Sequence, residues 1–405
     1  MSAPASPARL ITVVGCAEVL SMTAFSGFAA LLPVLIPVFG FNNSQAGLIS
    51  GVVLGGYMAG VPFLGALSDR YDPRRVYALS AAVAAGGGLG FAFLANGFWS
   101  ALACQMLIGI GLAGTYIPGM KALTDRLEGA WQARGAAIYG AVFGVGTAGS
   151  LILCGAAGAA FGWQMAFALA AAGPLLAAAL MMIALDPLPP RPRAQRALFD
   201  FAPALRNARV RPYMFASFSH SWELHGTRAW LVAFLTYAAS LQGDSVATGG
   251  IAFTAALILL LGPIASVSGN ELALRIGRPR VMTLGPAASA LLSCAFGFVA
   301  GLPWPLLLAF AVVQMYAVGI DAGAITAGMV NATDPAHRGT TMAMYSMIGF
   351  SSGFFAPALF GVVLDLAGGR ASATAWGCAF ISLGFFALLG LIPARAVARN
   401  EGRNR

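Results

Sequence analysis

The chain has 405 residues, 59% of them hydrophobic and only 9% charged, with a formal net charge of +9. Soluble domains carry about 25% charged residues, so these charges cannot cover a soluble surface, and lipid is the solvent for most of the chain. The 51 glycines suit helix backbones that approach closely in a bilayer.

A membrane helix needs roughly 20 mostly apolar residues. The first such run, 10–39 after Arg9, is too long for the core of a cleaved signal and reads as a span. Spans 2 to 6 follow at 44–67, 76–96, 99–123, 136–160 and 163–185. Spans 7 to 12 are predicted at 213–240, 248–269, 281–301, 304–330, 340–365 and 372–394. The runs are continuous rather than alternating, which argues against a strand barrel. The expected fold is an all-α polytopic membrane protein of 12 transmembrane helices. An N-terminal six-helix bundle covers 1–185, a linker 186–212 and a C-terminal six-helix bundle 213–405.

Loops after the even-numbered spans and both tails, counted with Lys121 at the inner end of span 4, hold 21 of the 23 basic residues; Arg370 falls on the other side and Arg228 lies deep within a span. The positive charge is therefore a topology signal that puts both termini in the cytoplasm, and nucleic acid is not an expected partner. The linker starts Pro-rich and then sets Leu198, Phe199, Phe201 and Leu205 among arginines. It reads either as a short helix on the membrane surface or as a solvated basic connection. Five cysteines, Cys16, Cys104, Cys154, Cys294 and Cys378, stand singly in apolar runs and read as small buried hydrophobes. No metal site, cofactor or enzymatic activity is expected.

The two halves repeat each other. GALSDRYDPRR (65–75) follows span 2 and NELALRIGRPR (270–280) follows span 8. Arg70 and Arg275, Arg75 and Arg280, and Glu18 and Glu223 are each 205 positions apart. Arg134 and Arg338 are 204 apart, and Gln105 and Gln314 are 209 apart. Agreement within a few residues indicates a duplicated six-helix unit.

GALSDRYDPRR resembles the signature of the major facilitator superfamily, with Asp72 where that family usually has glycine. The resemblance extends over the whole chain: twelve spans in two halves, the signature after span 2 and a degenerate copy after span 8. It implies two pseudo-symmetric bundles around a central cavity built mainly from spans 1, 4, 7 and 10. It also implies a cytoplasmic latch in which Gly65 lets helices approach and Asp69 pairs with a helix end across the two halves. Arg70, Arg74 and Arg75 hold that latch, and Asp125 pairs with the basic cluster. Gln105 stands where the family often has an arginine linked to proton coupling, and span 5 lacks the Gly-Pro pair of drug–proton antiporters. Both departures count against those variants.

SHSWELHGTRAW, residues 219–230, puts charges inside span 7. A charge at the centre of a span costs on the order of 3 kcal/mol even on the lenient insertion scale, so such residues face a wet cavity or a partner. At about 100° per residue from His220, Thr227 falls at about −20°, Glu223 at about −60°, Arg228 at about +80° and His225 at about +140°. His220, Glu223, Thr227 and Arg228 thus share one broad face, while His225 points away and reads as structural. Glu18, Glu223 and Asp321 lie at similar depth, roughly 13–16 Å from the cytoplasmic ends. Gln314 shares a helix face with Asp321, and Tyr116 lies on the stripe Gln105, Gly109, Leu112. These residues read as substrate- or proton-binding, or as a structural polar network, with Arg228 expected to pair with Glu223 in the empty site. Lys121, the single lysine, either snorkels to headgroups or attracts substrate.

An ATP-driven pump needs a phosphate loop ending Gly-Lys-Ser/Thr, and the one lysine lies in GMKAL. The expected function is a monomeric secondary transporter, working by alternating access on a small solute, an organic anion or polar metabolite. A carboxylate removed from water can bind and release a proton, which makes the proton a candidate co-substrate for symport. A multidrug exporter of the same fold and a transport-dead membrane sensor are the alternatives. Heavy use of Ala, Gly and Arg with a single Lys suggests a high-GC bacterium and its inner membrane.

Overall fold

The computed structural model describes residues 6–187, 202–243, 248–334 and 338–402. Among these residues every regular element is a helix. The first half holds α1 Pro7–Ser21, α2 Gly27–Phe39, α3 Asn43–Arg70, α4 Pro73–Leu94, α5 Phe98–Thr124, α6 Ala130–Phe161 and α7 Trp163–Ala184. After the short α8 Ala202–Arg206 come α9 Arg211–Leu241, α10 Thr248–Leu259, α11 Leu261–Ile276, α12 Arg278–Phe296 and α13 Trp304–Gly319. The last four are α14 Ala322–Ala332, α15 Arg338–Leu366, α16 Ala373–Leu389 and α17 Leu391–Gly402.

Among the described residues, eleven spans are long and apolar enough to cross a membrane. α9 is not among them despite its 31 residues, because its polar run breaks the apolar window. With α9, all twelve segments expected from the sequence are helical. Of the predicted surface segment, Leu198, Phe199 and Phe201 lie outside the described residues; Leu205 is half exposed in α8.

Four spans are broken where the sequence suggested continuous helix: between α1 and α2, α10 and α11, α13 and α14, and α16 and α17. Free backbone groups in lipid must find partners, and at the first break they do. Ser150 Oγ donates to the Thr23 carbonyl at 2.6 Å and accepts from the Ser26 amide at 2.9 Å. Thr23 Oγ1 donates to the Ala170 carbonyl at 2.6 Å. Those partners come from α6 and α7, so the break is invisible in the local sequence.

The chain forms two compact units. One comprises Met1–Phe39, Val52–Leu198 and Ala247–Ala256; the other comprises Gly40–Gly51, Phe199–Val246 and Leu257–Arg405. The two exchanged segments end at positions 51 and 256, again 205 apart.

Each unit has an aromatic core of the same design. In the first, Phe91 of α4 meets Phe28 of α2 at 5.9 Å between ring centroids and Phe167 of α7 at 4.1 Å. In the second, Phe296 of α12 meets Phe234 of α9 at 4.7 Å and Phe380 of α16 at 4.9 Å. Phe91 and Phe296 are 205 positions apart, so the duplication extends into the packing. The turn after the signature differs. Asp72 caps α4, accepting from the Arg74 amide at 3.0 Å. Its counterpart 205 positions on, Gly277, joins α11 to α12 with φ +93°, a conformation that favours glycine.

Gly109 of α5 lies against the backbone of α3, and a methyl group there would run into the Val53 carbonyl. Gly109→Ala is expected to destabilise the first unit by about 1–3 kcal/mol through overpacking. A lower melting temperature in detergent, with helical content retained, checks this.

Candidate functional site

In the first unit α1 carries Glu18 into a sealed interior, where it is 0% exposed. Tyr139 of α6 donates to its Oε2 at 2.6 Å, Ser21 reaches the same oxygen at 3.4 Å, and Oε1 has no partner. Tyr77 fixes the same turn by donating to the Ala17 carbonyl at 2.9 Å. Tyr116, expected as a cavity donor, instead packs its ring on Tyr139 and Phe143 at 5.5 and 5.4 Å. Gln105 is fully buried with neither amide atom hydrogen-bonded. Tyr139→Phe removes the short donor to a buried carboxylate and is expected to cost about 1–3 kcal/mol. Thermal melts of Tyr139→Phe and of the double variant with Glu18→Gln check this, the neutral amide recovering part of the loss.

In the second unit the polar face of α9 splits between two walls. Glu223 is 2% exposed and accepts from Ser293 Oγ of α12 at 2.5 Å; Gln314 Nε2 of α13 donates to the same hydroxyl at 3.0 Å. Thr227 is 0% exposed and its hydroxyl has no partner. Thr227 faces packed helix and Glu223 meets only a pocket the size of one water, rather than the wider wet cavity expected from their position on the wheel. His220 lies at the boundary between the walls, and its Nδ1 sits 2.8 Å from Oδ1 of Asp321, at the break between α13 and α14.

His220 lines two spaces. One is a buried pocket of about 10 Å³ shared with Ser219, Glu223, Ser289 and Asp321, about the size of one water. The other is an open cleft of about 190 Å³ walled by Ser217, Ser221, Thr326, Tyr345 and Ser346. Tyr345 and Thr326 hydroxyls lie 3.0 Å apart across it. The sequence reading missed these hydroxyls, although Ser217 and Ser221 stand at helical i,i+4 spacing.

Arg228 does not pair with Glu223. Five positions along a helix place two side chains about 140° apart, whereas side-chain pairs form at three or four. Among the described residues no carboxylate lies within 4 Å of the guanidinium, and its buried Nε has no hydrogen-bond partner. Ser217, Ser221 and Arg228 fall within about 40° of one another around α9, with Arg228 roughly 10 Å beyond Ser221 along the axis. The cleft's α9 wall thus runs toward the unpaired cation. His225 points the other way, its Nδ1 2.8 Å from the Ser221 carbonyl, and Trp222 stacks on Phe386 with centroids 3.8 Å apart.

The signature residues are placed in the first unit. Lys121 donates to Asp69 Oδ1 and, at 2.8 Å, to the Ser68 carbonyl, so the single lysine neither snorkels outward nor stands free, and it pairs Asp69 within one unit. Asp72 takes Arg74 Nε at 2.9 Å and Nη2 at 2.8 Å, and Arg74 Nη1 donates to the Leu185 carbonyl beyond α7. Burial pulls the nearby Arg126 guanidinium below its ordinary pKa, with Asp72 opposing the shift. Arg70 and Arg75 are exposed, and Asp125 closes α5 as its C-cap. Gly65 does not mark a close approach, because an added methyl group would meet only Ile117, at 3.9 Å.

No curated protein matches the sequence. Among solved structures the fold is similar to a bacterial homologue of the human lysosomal transporter Spinster, inward-facing and unoccupied, with a TM-score of 0.82 and 15% identity over 97% of this chain and 98% of that one. The nucleoside transporter NupG gives a TM-score of 0.76 at 16% identity over 96% and 99% of the two chains. A structure from work on proton-dependent oligopeptide transporters gives 0.72 at 15% identity over 98% and 100%. These likenesses concern the fold. The sequence pattern of the Major Facilitator Superfamily matches residues 14–271, well over half of the chain, and together with the helical duplication this makes the chain a member of that superfamily.

Proposed function

We propose that the chain is a secondary transporter that moves a small, hydroxylated organic anion across a bacterial inner membrane by alternating access, in symport with a proton. Arg228 carries the reading. A guanidinium within a span costs on the order of 3 kcal/mol, and here no carboxylate neutralises it among the described residues. A substrate carboxylate would supply the missing partner through charge-assisted, bidentate hydrogen bonds. The hydroxyl-lined cleft, about two to three helical turns away, suits the rest of such a substrate. His220 joins that cleft to the Asp321 carboxylate and the water-sized pocket beside Glu223, an arrangement that supports proton entry there. Both termini are taken as cytoplasmic, the working unit as a monomer, and the Asp69–Lys121 pair as part of the cytoplasmic latch.

A neutral nucleoside-like solute is the second reading, favoured by the cleft's hydroxyls and by the likeness to NupG. Uptake of labelled hydroxycarboxylates and of labelled nucleosides into proteoliposomes separates the two. Saturable carboxylate uptake, stimulated by an inward proton gradient, is the expected result. Uptake of nucleosides alone, unaffected by excess carboxylate, would remove Arg228 from the substrate site.

A further inference from the structure

Between the start of α9 and the length of α17, the second unit holds an open groove of about 700 Å³. Its lining combines two arginines, Arg211 and Arg399, with Phe215, Ile392, Pro212 and Pro393. Phe215 is 40% and Ile392 59% exposed. Neither guanidinium makes an ion pair or side-chain hydrogen bond among the described residues. The groove lies at the ends of two spans, on the side where basic residues gather.

We propose that this groove binds an anionic glycerophospholipid, its headgroup phosphate held between Arg211 and Arg399 and its acyl chains lying on Phe215 and Ile392. Arginine suits phosphate because its planar fork donates two parallel hydrogen bonds. Basic residues just cytoplasmic of a span attract the anionic leaflet. The apolar floor opens the groove to acyl chains, which a free phosphate would leave uncovered. Bound there, the lipid would tie the start of α9 to α17. The inference does not depend on what solute the protein carries.

The test is a lipid titration of the purified full chain in detergent, read by native mass spectrometry and by thermal shift. Phosphatidylglycerol is expected to bind and raise the melting temperature, whereas phosphatidylcholine and inorganic phosphate at equal phosphate concentration do not. The double variant Arg211→Gln/Arg399→Gln is expected to lose phosphatidylglycerol affinity at least about tenfold. Arg280→Gln, which removes one exposed charge elsewhere, keeps it. If the double variant does not fold, Arg399→Gln alone is read by mass spectrometry, with a weaker loss expected. Equal binding of phosphatidylcholine, equal stabilisation by inorganic phosphate, or unchanged affinity in the arginine variants would each overturn the assignment.

Discussion

Arg228→Gln is expected to raise the half-saturation concentration for a carboxylate substrate roughly 10- to 150-fold. That range follows from about 1.5–3 kcal/mol for a hydrogen bond to a charged group. The glutamine retains some hydrogen-bonding capacity but no charge, so a substrate anion entering the site would be desolvated without compensation. Arg228→Lys keeps the charge and loses the planar fork, and is expected to fall between the two. The empty protein should behave differently. Because no carboxylate among the described residues neutralises Arg228, its removal leaves no buried acid behind there, and Arg228→Gln should melt at or above the parent temperature. Weaker transport combined with unchanged or higher stability separates substrate binding from a structural polar network. A variant that melts lower while transporting normally would assign Arg228 to the scaffold.

Asp321→Asn is expected to uncouple transport from the proton gradient. The pair His220–Asp321, at 2.8 Å, stands between the open cleft and the buried pocket beside Glu223, the route proposed above for a coupling proton. One proton moving down a gradient of one pH unit supplies about 1.4 kcal/mol, enough for tenfold accumulation. The asparagine variant is expected to bring its substrate only to equal concentrations on both sides. Exchange of substrate across the membrane, which needs no net proton movement, should continue at near the parent rate. Proton-driven accumulation that survives the substitution would move the coupling site elsewhere, with Glu18 the next candidate. Loss of exchange as well as accumulation would make Asp321 part of the moving scaffold.

The spans were legible because lipid imposes a length and a composition on any helix that crosses it. α9 shows the limit of that rule. Its polar run hides it from an apolar count, and only its place between a basic linker and the second half of the repeat reveals it. The helix wheel located the polar face of α9 but could not tell which neighbours would cover it. Thr227 faces packed helix and Glu223 only a water-sized pocket, whereas Ser217, Ser221 and His220 line an open cleft. The wheel did hold the reason that Arg228 stands apart from Glu223, since the two are about 140° apart.

Contacts across long stretches of sequence were not legible. One oxygen of Glu18 is held by Tyr139, 121 positions away, while its repeat partner Glu223 accepts from Ser293, 70 positions away on a different span. The duplication has kept the two acids and replaced their donors. The signature turn shows the same pattern, with a capping Asp72 in one copy and a positive-φ Gly277 in the other. The residue that departs from the family pattern therefore has a local task, holding Arg74 and the start of α4.

The most direct test of the account is counterflow in sealed proteoliposomes. Vesicles are preloaded with an unlabelled hydroxycarboxylate and diluted into a trace of the labelled compound. The account predicts a transient overshoot of label inside the vesicles, abolished by excess external substrate and weakened in Arg228→Gln. Saturable binding of the label with no overshoot would contradict it and would make the protein a membrane receptor instead.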